Sequence, residues 1–322
     1  MSVKATGPII LHGIKEEKSL SIIAKKFLKC WQLYLLFLPP LIYIILFHYV
    51  PMYGAQIAFK DYNFSDGIIN SPWVGFKHFV KFFNSYDFAQ IMKNTLGISF
   101  YNLAASIPFS ILLAILLNYA TNERFKKTVQ MVTYAPYFIS TVVMVGIIME
   151  FLSPRTGIIN IFLRLLGFES INFMAVPEYF KSIYVWSGVW QGTGYGAIIY
   201  LASLASVDTT LHEAAIVDGA NKFQRIWYID IPGILPTIVV LLIMNTGHIL
   251  NTGFEKILLM QNPLNIRTSQ VIDTYVYQVG FASQIVDYSY PTAVGLFKSV
   301  TNLTLLIIVN SIARKLTDSS LW

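Results

Sequence analysis

The sequence predicts an all-α integral membrane protein of six transmembrane helices, with both termini on the cytoplasmic side. Three observations lead there: a shortage of charge, six apolar runs of spanning length, and the placement of the basic residues. Of 322 residues, 55% are hydrophobic and only 12% charged, against about a quarter charged in average soluble proteins. So few charges cannot cover a soluble domain of this size, which excludes an ordinary cytosolic enzyme. Disorder would require the opposite composition, low hydrophobicity with high charge. The single cysteine, Cys30, excludes an internal disulfide and any cysteine-based metal cluster.

A helix crossing the hydrocarbon needs about 20 mainly apolar residues. The first candidate, 31–50, contains no Lys, Arg, Asp or Glu, and its Pro39 and Pro40 predict a kink of the kind membrane helices tolerate. Thirty residues precede it and no A-x-A site follows, so it reads as a retained signal-anchor. Five further spans are expected at about 95–118, 132–152, 183–205, 229–250 and 292–313. The fourth is the least apolar because Gly, Ser and Gln interrupt it. If residues 1–30 are cytoplasmic, the inner segments 1–30, 119–131, 206–228 and 314–322 hold 13 of the 23 basic residues in 75 positions. The other ten are spread over an outer side whose three loops alone total 114 positions. That bias sets the orientation and accounts for the net charge of +6 without nucleic acid. The division is therefore a basic cytoplasmic segment, 1–30, and a six-helix domain, 31–318. The outer loops, about 51–93, 153–182 and 251–291, are long enough to hold short elements or a functional surface.

The chain contains no G-x-x-x-x-G-K-[ST], H-E-x-x-H or G-x-S-x-G motif and no Cys/His metal pattern. Any nucleotide site must be supplied by another chain. The informative segment is the inner loop 207–232. Asp208 or Thr209 is placed to cap a helix, Glu213 to stand in its first turn, and Ala214 and Ala215 to leave a smooth surface. Gly219 breaks the chain, and a second short helix, 222–228, is expected to lead to Pro232. Glu-Ala-Ala alone would suit any cytoplasmic connector. The full pattern is more specific: Glu213-Ala214-Ala215, three residues, Gly219, nine residues, then Ile229-x-Ile231-Pro232.

That pattern resembles the signature loop of permease subunits of binding-protein-dependent ABC importers, with Ile231 where the family usually has Leu. Asp218-Gly219-Ala220 is similar to the form common among carbohydrate importers. The segments 134–140, 157–160, 271–277 and 293–297 resemble maltose-type and, more closely, LplB-type polysaccharide permeases. The resemblance covers roughly 30–318. It implies the type I importer permease fold, in a bacterial cell membrane, with no catalytic residue or cofactor in this chain. It also implies a second homologous permease, two cytoplasmic ATPase subunits carrying ATP and Mg, and an extracellular lipoprotein that delivers an oligosaccharide. In such a complex Glu213, Ala214, Ala215, Asp218, Gly219 and Pro232 form the coupling element that seats in a cleft of the ATPase. A peptide importer of the same fold and a secondary transporter are the alternatives.

Polar and aromatic residues inside the spans are the candidates for a sugar pathway. Tyr137, Trp190, Gln191 and Tyr195 combine faces that stack on sugar rings with an amide that bonds hydroxyls. Asn245, His248, Asn251 and Asn302 would either bond between helices or line a wet channel. Gly188, Gly192 and Gly196 form a small-residue stripe suited to close helix packing. Lys298, within the sixth span, requires water, an acidic partner or an outward reach. Its sharper reading is as counter-ion to an acidic sugar such as a uronate of a plant-polysaccharide fragment.

Overall fold

The computed structural model describes residues 29–283, 287–317 and 320–321, so all of the basic segment 1–30 except Lys29 and Cys30 lies outside the described residues. Among the described residues the fold is helical, with one isolated bridge between Lys60 and Trp73. Two compact units are present, Met1–Gln56 and Ile57–Trp322. The first contains α1, Trp31–Ile44, which runs through Pro39 and Pro40. The widened turn lies farther along than the expected kink, at Ile45–Tyr49, where Val50 N–H reaches the Ile45 carbonyl just ahead of Pro51. A wider turn accommodates the ring and the missing donor of the proline that follows.

The second unit is built on α2 (Phe88–Asn118), α3 (Glu123–Tyr134), α4 (Thr141–Phe151) and α5 (Pro177–Leu204). After these come α6 (Thr209–Val217), α7 (Lys222–Thr246), α8 (Phe254–Met260), α9 (Ile272–Tyr277) and α10 (Ser289–Thr317). The helical run Trp31–Phe59, α2, α7 and α10 are long and apolar enough to cross a membrane. The bent pair formed by Glu123–Phe138 and α4 makes a fifth candidate. At 28 residues α5 has the length for a span, but it is not among these helices. Its glycines, serines and Gln191 replace the aliphatic residues that the others carry.

The expected third span, 132–152, is not one straight helix. Pro136 ends α3 in a short tight turn, Ile139 is extended, and Ser140 caps α4, so the two pieces meet at 102°. Gln191 on α5 donates from Nε2 to the Ile139 carbonyl at 2.9 Å, supplying a partner for a group that the break leaves outside any helix. Such groups must be satisfied within the protein if they lie at membrane depth.

Helix α5 lies along α2. Ile98, Met144, Ile148, Phe180 and Ile257 form one buried cluster joining α2, α4, α5 and α8. Ala114, Ala197, Tyr200, Leu204 and Ile234 form another at the end of the unit nearest α6. Between membrane helices, close packing does the work that water exclusion does elsewhere. The tightest approach is at Gly194, where a Cβ would come within 2.0 Å of the Thr133 carbonyl oxygen. Gly196 meets Ser110 in the same way at 2.7 Å, whereas Gly192 faces open space. The predicted stripe is thus corrected: α3 presses on Gly194, and Gly192 takes no part in close packing. Gly194→Ala is expected to destabilise the protein by about 1–3 kcal/mol, the cost of overpacking, lowering its melting temperature in detergent. Gly192→Ala should melt with the parent.

Candidate functional site

Helix α6 starts where Asp208 accepts a hydrogen bond from Thr210 N–H at 2.9 Å, and that bond holds the Asp208 carboxyl below its ordinary range. With Asp208 as the cap, Glu213 is the fifth helical residue, so it stands in the second turn instead of the first. At the other end Gly219 has φ +80°, and its N–H bonds Ile216 O at 3.0 Å while Ala220 N–H bonds Ala215 O at 2.8 Å. This double closure requires a left-handed residue, which is why glycine stands there. Two residues on, Asn221 and Gln224 cap one another: Asn221 Oδ1 accepts from Gln224 N–H at 2.9 Å, and Gln224 Oε1 accepts from Asn221 N–H at 2.8 Å.

The second short helix expected at 222–228 does not end there. It is the beginning of α7, which continues through a widened turn at Ile226–Asp230 to Thr246. Ile231 N–H reaches back to Ile226 O, one residue before Pro232, repeating the arrangement seen ahead of Pro51. The turn carries Asp230, which is fully buried. Tyr119, just past the end of α2, donates its hydroxyl to Asp230 Oδ2 at 2.7 Å. His212 Nε2 lies 3.3 Å from Oδ1, at ion-pair distance but out of line for a hydrogen bond. Burial, and then the Asp230 carboxylate, push the Tyr119 phenol up to about 12, so it remains a donor at neutral pH. The Arg225 guanidinium sits over the Tyr119 ring at 5.8 Å. One carboxylate thus links α6, α7 and the end of α2. Sequence reading passed over it, although an acid inside the apolar Ile229-x-Ile231 run was a visible signal.

No residue of α6 is buried. Val217 is 87% exposed and Phe223 84%, with Leu211 and Ile216 also open, around the exposed Glu213, Ala214 and Asp218. Apolar side chains on a well-capped helix without a covering element mark a docking surface.

The candidate pathway residues fall into separate groups. Helix α7 ends at Thr246, and Asn302 on α10 accepts from the Leu250 N–H that follows, at 3.1 Å. His248, Asn251, Lys298 and Asn302 line a cavity of about 490 Å³ together with Asp273. His248 and Asn251 also line a second cavity, of about 170 Å³, with Asn102, Tyr184 and Asn245. The two cavities share His248 and Asn251, just past the end of α7. Lys298 is paired with Asp273 on α9, so its charge is already answered within the chain. The motive for reading Lys298 as counter-ion to a sugar acid is thereby removed.

Tyr137 and Tyr195 lie elsewhere, stacked on each other with centroids 3.9 Å apart and planes 5° from parallel. Trp190 lines a third, apolar cavity with Phe109, Leu112 and Trp186. None of these three residues lines the polar cavities. Gln191 spends its amide on Ile139.

Residues 106–318 match the model of a family described as the binding-protein-dependent transport system inner membrane component. The chain is 41% identical over 319 residues to protein LplB of Bacillus subtilis, covering 99% of this chain and 98% of the relative. It is also 41% identical over 321 residues to the polygalacturonan/rhamnogalacturonan transport system permease protein YteP of the same organism, covering 100% and 99%. Among solved structures it superposes with TM-score 0.84 and 39% identity on a chain of a bacterial alginate ABC transporter in complex with an alginate pentasaccharide-bound periplasmic protein, covering 92% of this chain and 99% of that one. This chain therefore belongs to the binding-protein-dependent transport system inner membrane components, the permeases of ABC importers in the cytoplasmic membrane.

Proposed function

We propose that this chain is one of two homologous permease subunits of an ATP-driven importer, taking up an acidic oligosaccharide released from a plant or similar polysaccharide. An extracellular binding protein delivers the sugar, and two cytoplasmic ATPase subunits, which carry ATP and Mg, drive the cycle. Six spans cross the membrane, with the bent α3–α4 segment as the third and the less apolar α5 as the fourth, and both termini lie in the cytoplasm. The acidic class of substrate is supported by two relatives, one named for polygalacturonan and rhamnogalacturonan and one solved with alginate pentasaccharide.

The observation that carries the coupling role is the exposed face of α6. Leu211, Ile216 and Val217 of α6 are uncovered, as is Phe223 at the start of α7, while both ends of α6 are closed by side-chain and backbone hydrogen bonds. A rigid helix with an open apolar face is suited to a groove on a partner. Glu213 is placed on that face to accept hydrogen bonds or pair with a basic residue of the ATPase. Asp230 passes the displacement of α6 to α7 and α2 through His212 and Tyr119.

Glu213→Lys and Gly219→Pro are expected to abolish sugar uptake in cells while membrane insertion, followed by immunoblot of the membrane fraction, persists. Normal transport by both variants would contradict the coupling role. Asp230→Asn keeps the shape but weakens the linkage. In proteoliposomes it should retain ATP hydrolysis while the amount of sugar imported per ATP falls about tenfold, equivalent to roughly 1.4 kcal/mol.

A further inference from the structure

Three lysines, Lys93 on α2, Lys181 on α5 and Lys256 on α8, stand near the α2–α5 pair, and among the described residues none is in an ion pair with a carboxylate. Lys93 is in the second turn of α2 and Lys181 near the start of α5, close enough for each to feel the other's charge. Helices α2 and α5 enter the unit side by side, and the Lys181 ammonium lies against Gly97 of α2, where a Cβ would come within 3.1 Å of Nζ. Two turns farther along α5, the ammonium of Lys256, reaching in from α8, lies against Gly188. A Cβ on Gly188 would stand 3.5 Å from Lys256 Nζ and 3.8 Å from Asn102 Oδ1, so both groups flank one point. Asn102 lines the smaller polar cavity with Tyr184, Asn245, His248 and Asn251. The Lys181 and Lys256 ammonium groups thus lie about two turns apart along α5, the second beside Asn102 at the edge of that cavity.

Lys256 donates to the Tyr184 carbonyl at 3.1 Å and lies over the Tyr184 ring at 4.8 Å. Among the described residues, no ion pair includes Lys93, Lys181 or Lys256. Asp87, Glu178 and Glu255, the acids nearest to them in sequence, are exposed, and Asp273 is taken by Lys298. Burial alone pushes the Lys256 ammonium down to about 8. A cation held against desolvation with no counter-charge is costly unless a ligand supplies the charge. A purely structural link to the Tyr184 carbonyl would be met by a neutral donor.

We propose that Lys93, Lys181 and Lys256 form a cationic track that takes the carboxylates of an acidic oligosaccharide and leads them to the cavity beside Asn102. The track rests on the acidic-sugar reading above, and it assigns to Lys256 the counter-ion role first suggested by Lys298. Each sugar carboxylate would pair with an ammonium, and the hydroxyls would meet the amides of Asn102, Asn245 and Asn251.

The test is uptake of radiolabelled trigalacturonate, and separately of its fully methyl-esterified neutral form, by the complete importer in proteoliposomes. The binding protein is the same in every arm, and the permease is wild type, Lys256→Gln, Lys256→Arg or Lys181→Gln. Trigalacturonate uptake is expected to fall about tenfold in Lys256→Gln and to stay within about twofold in Lys256→Arg, the scale of a lost charge-assisted contact. Melting temperatures establish that each variant folds, and should Lys256→Gln fail to fold, Lys181→Gln decides on the same criterion. Wild-type rates for trigalacturonate in both glutamine variants would overturn the track and leave the acidic-sugar reading standing. A wild-type importer that takes the methyl ester and refuses trigalacturonate would overturn that reading and the track with it.

Discussion

Inside a bilayer every backbone N–H and C=O must find its partner within the protein, and the features that matter in this chain are places where helical bonding is interrupted. Three of them, among the described residues of the larger unit, bear on the polar surfaces: the break at Ile139, the end of α7 at Thr246, and the widened turn at Ile226–Asp230. Side chains from a neighbouring helix close the first two. Gln191 answers the Ile139 carbonyl, and Asn302 answers the Leu250 N–H. At the third, Pro232 removes a donor, the turn widens, and a buried carboxylate is set between α2, α6 and α7. Interrupting a helix in this way gives the chain polar surface at depth, which a transport pathway needs and an unbroken apolar helix cannot supply.

In the importer we propose, the same arrangement links the exposed face of α6 to the cavities. Helix α6 buries none of its own residues, so its position depends on the caps at Asp208 and Gly219 and on the contact of His212 with Asp230. Asp230 belongs to α7, whose far end opens into the two polar cavities around His248 and Asn251. A displacement of the Glu213 face thus has a continuous solid path, along one helix, to the polar region. Coupling of this kind requires an element that moves as a unit, not a chain of loose contacts.

Much of this was legible in the amino acids. The Glu213 to Pro232 spacing led to the family, and Gly219 to its left-handed turn, because few residues satisfy that geometry. The apolar runs placed most of the helices, but not the break at Ile139: Pro136 was visible, while the direction taken after it depends on α5 packing against α3 at Gly194. Periodicity also selected Gly192, when the close approach is at Gly194 and Gly196. A stripe at spacing four cannot say which face meets a neighbour. Lys298 drew attention as an intramembrane cation, yet its partner Asp273 is 25 residues away in sequence, on a short helix whose contact with α10 no spacing in the sequence announces. Lys256, in what read as an outer loop, became interesting only once its burial beside Gly188 was known.

The central claim is that α6 and α7 move as one piece when the ATPase closes. With Cys30 replaced by serine, the chain has no other cysteine, so spin labels can be placed at Val217, Leu235 and Tyr137. Distances between them are then measured by pulsed electron resonance in the assembled importer, with and without ATP. The account predicts that the Val217–Leu235 distance stays constant while the Val217–Tyr137 distance changes. A Val217–Leu235 distance that shifts with ATP, in an importer still competent for uptake, would contradict it.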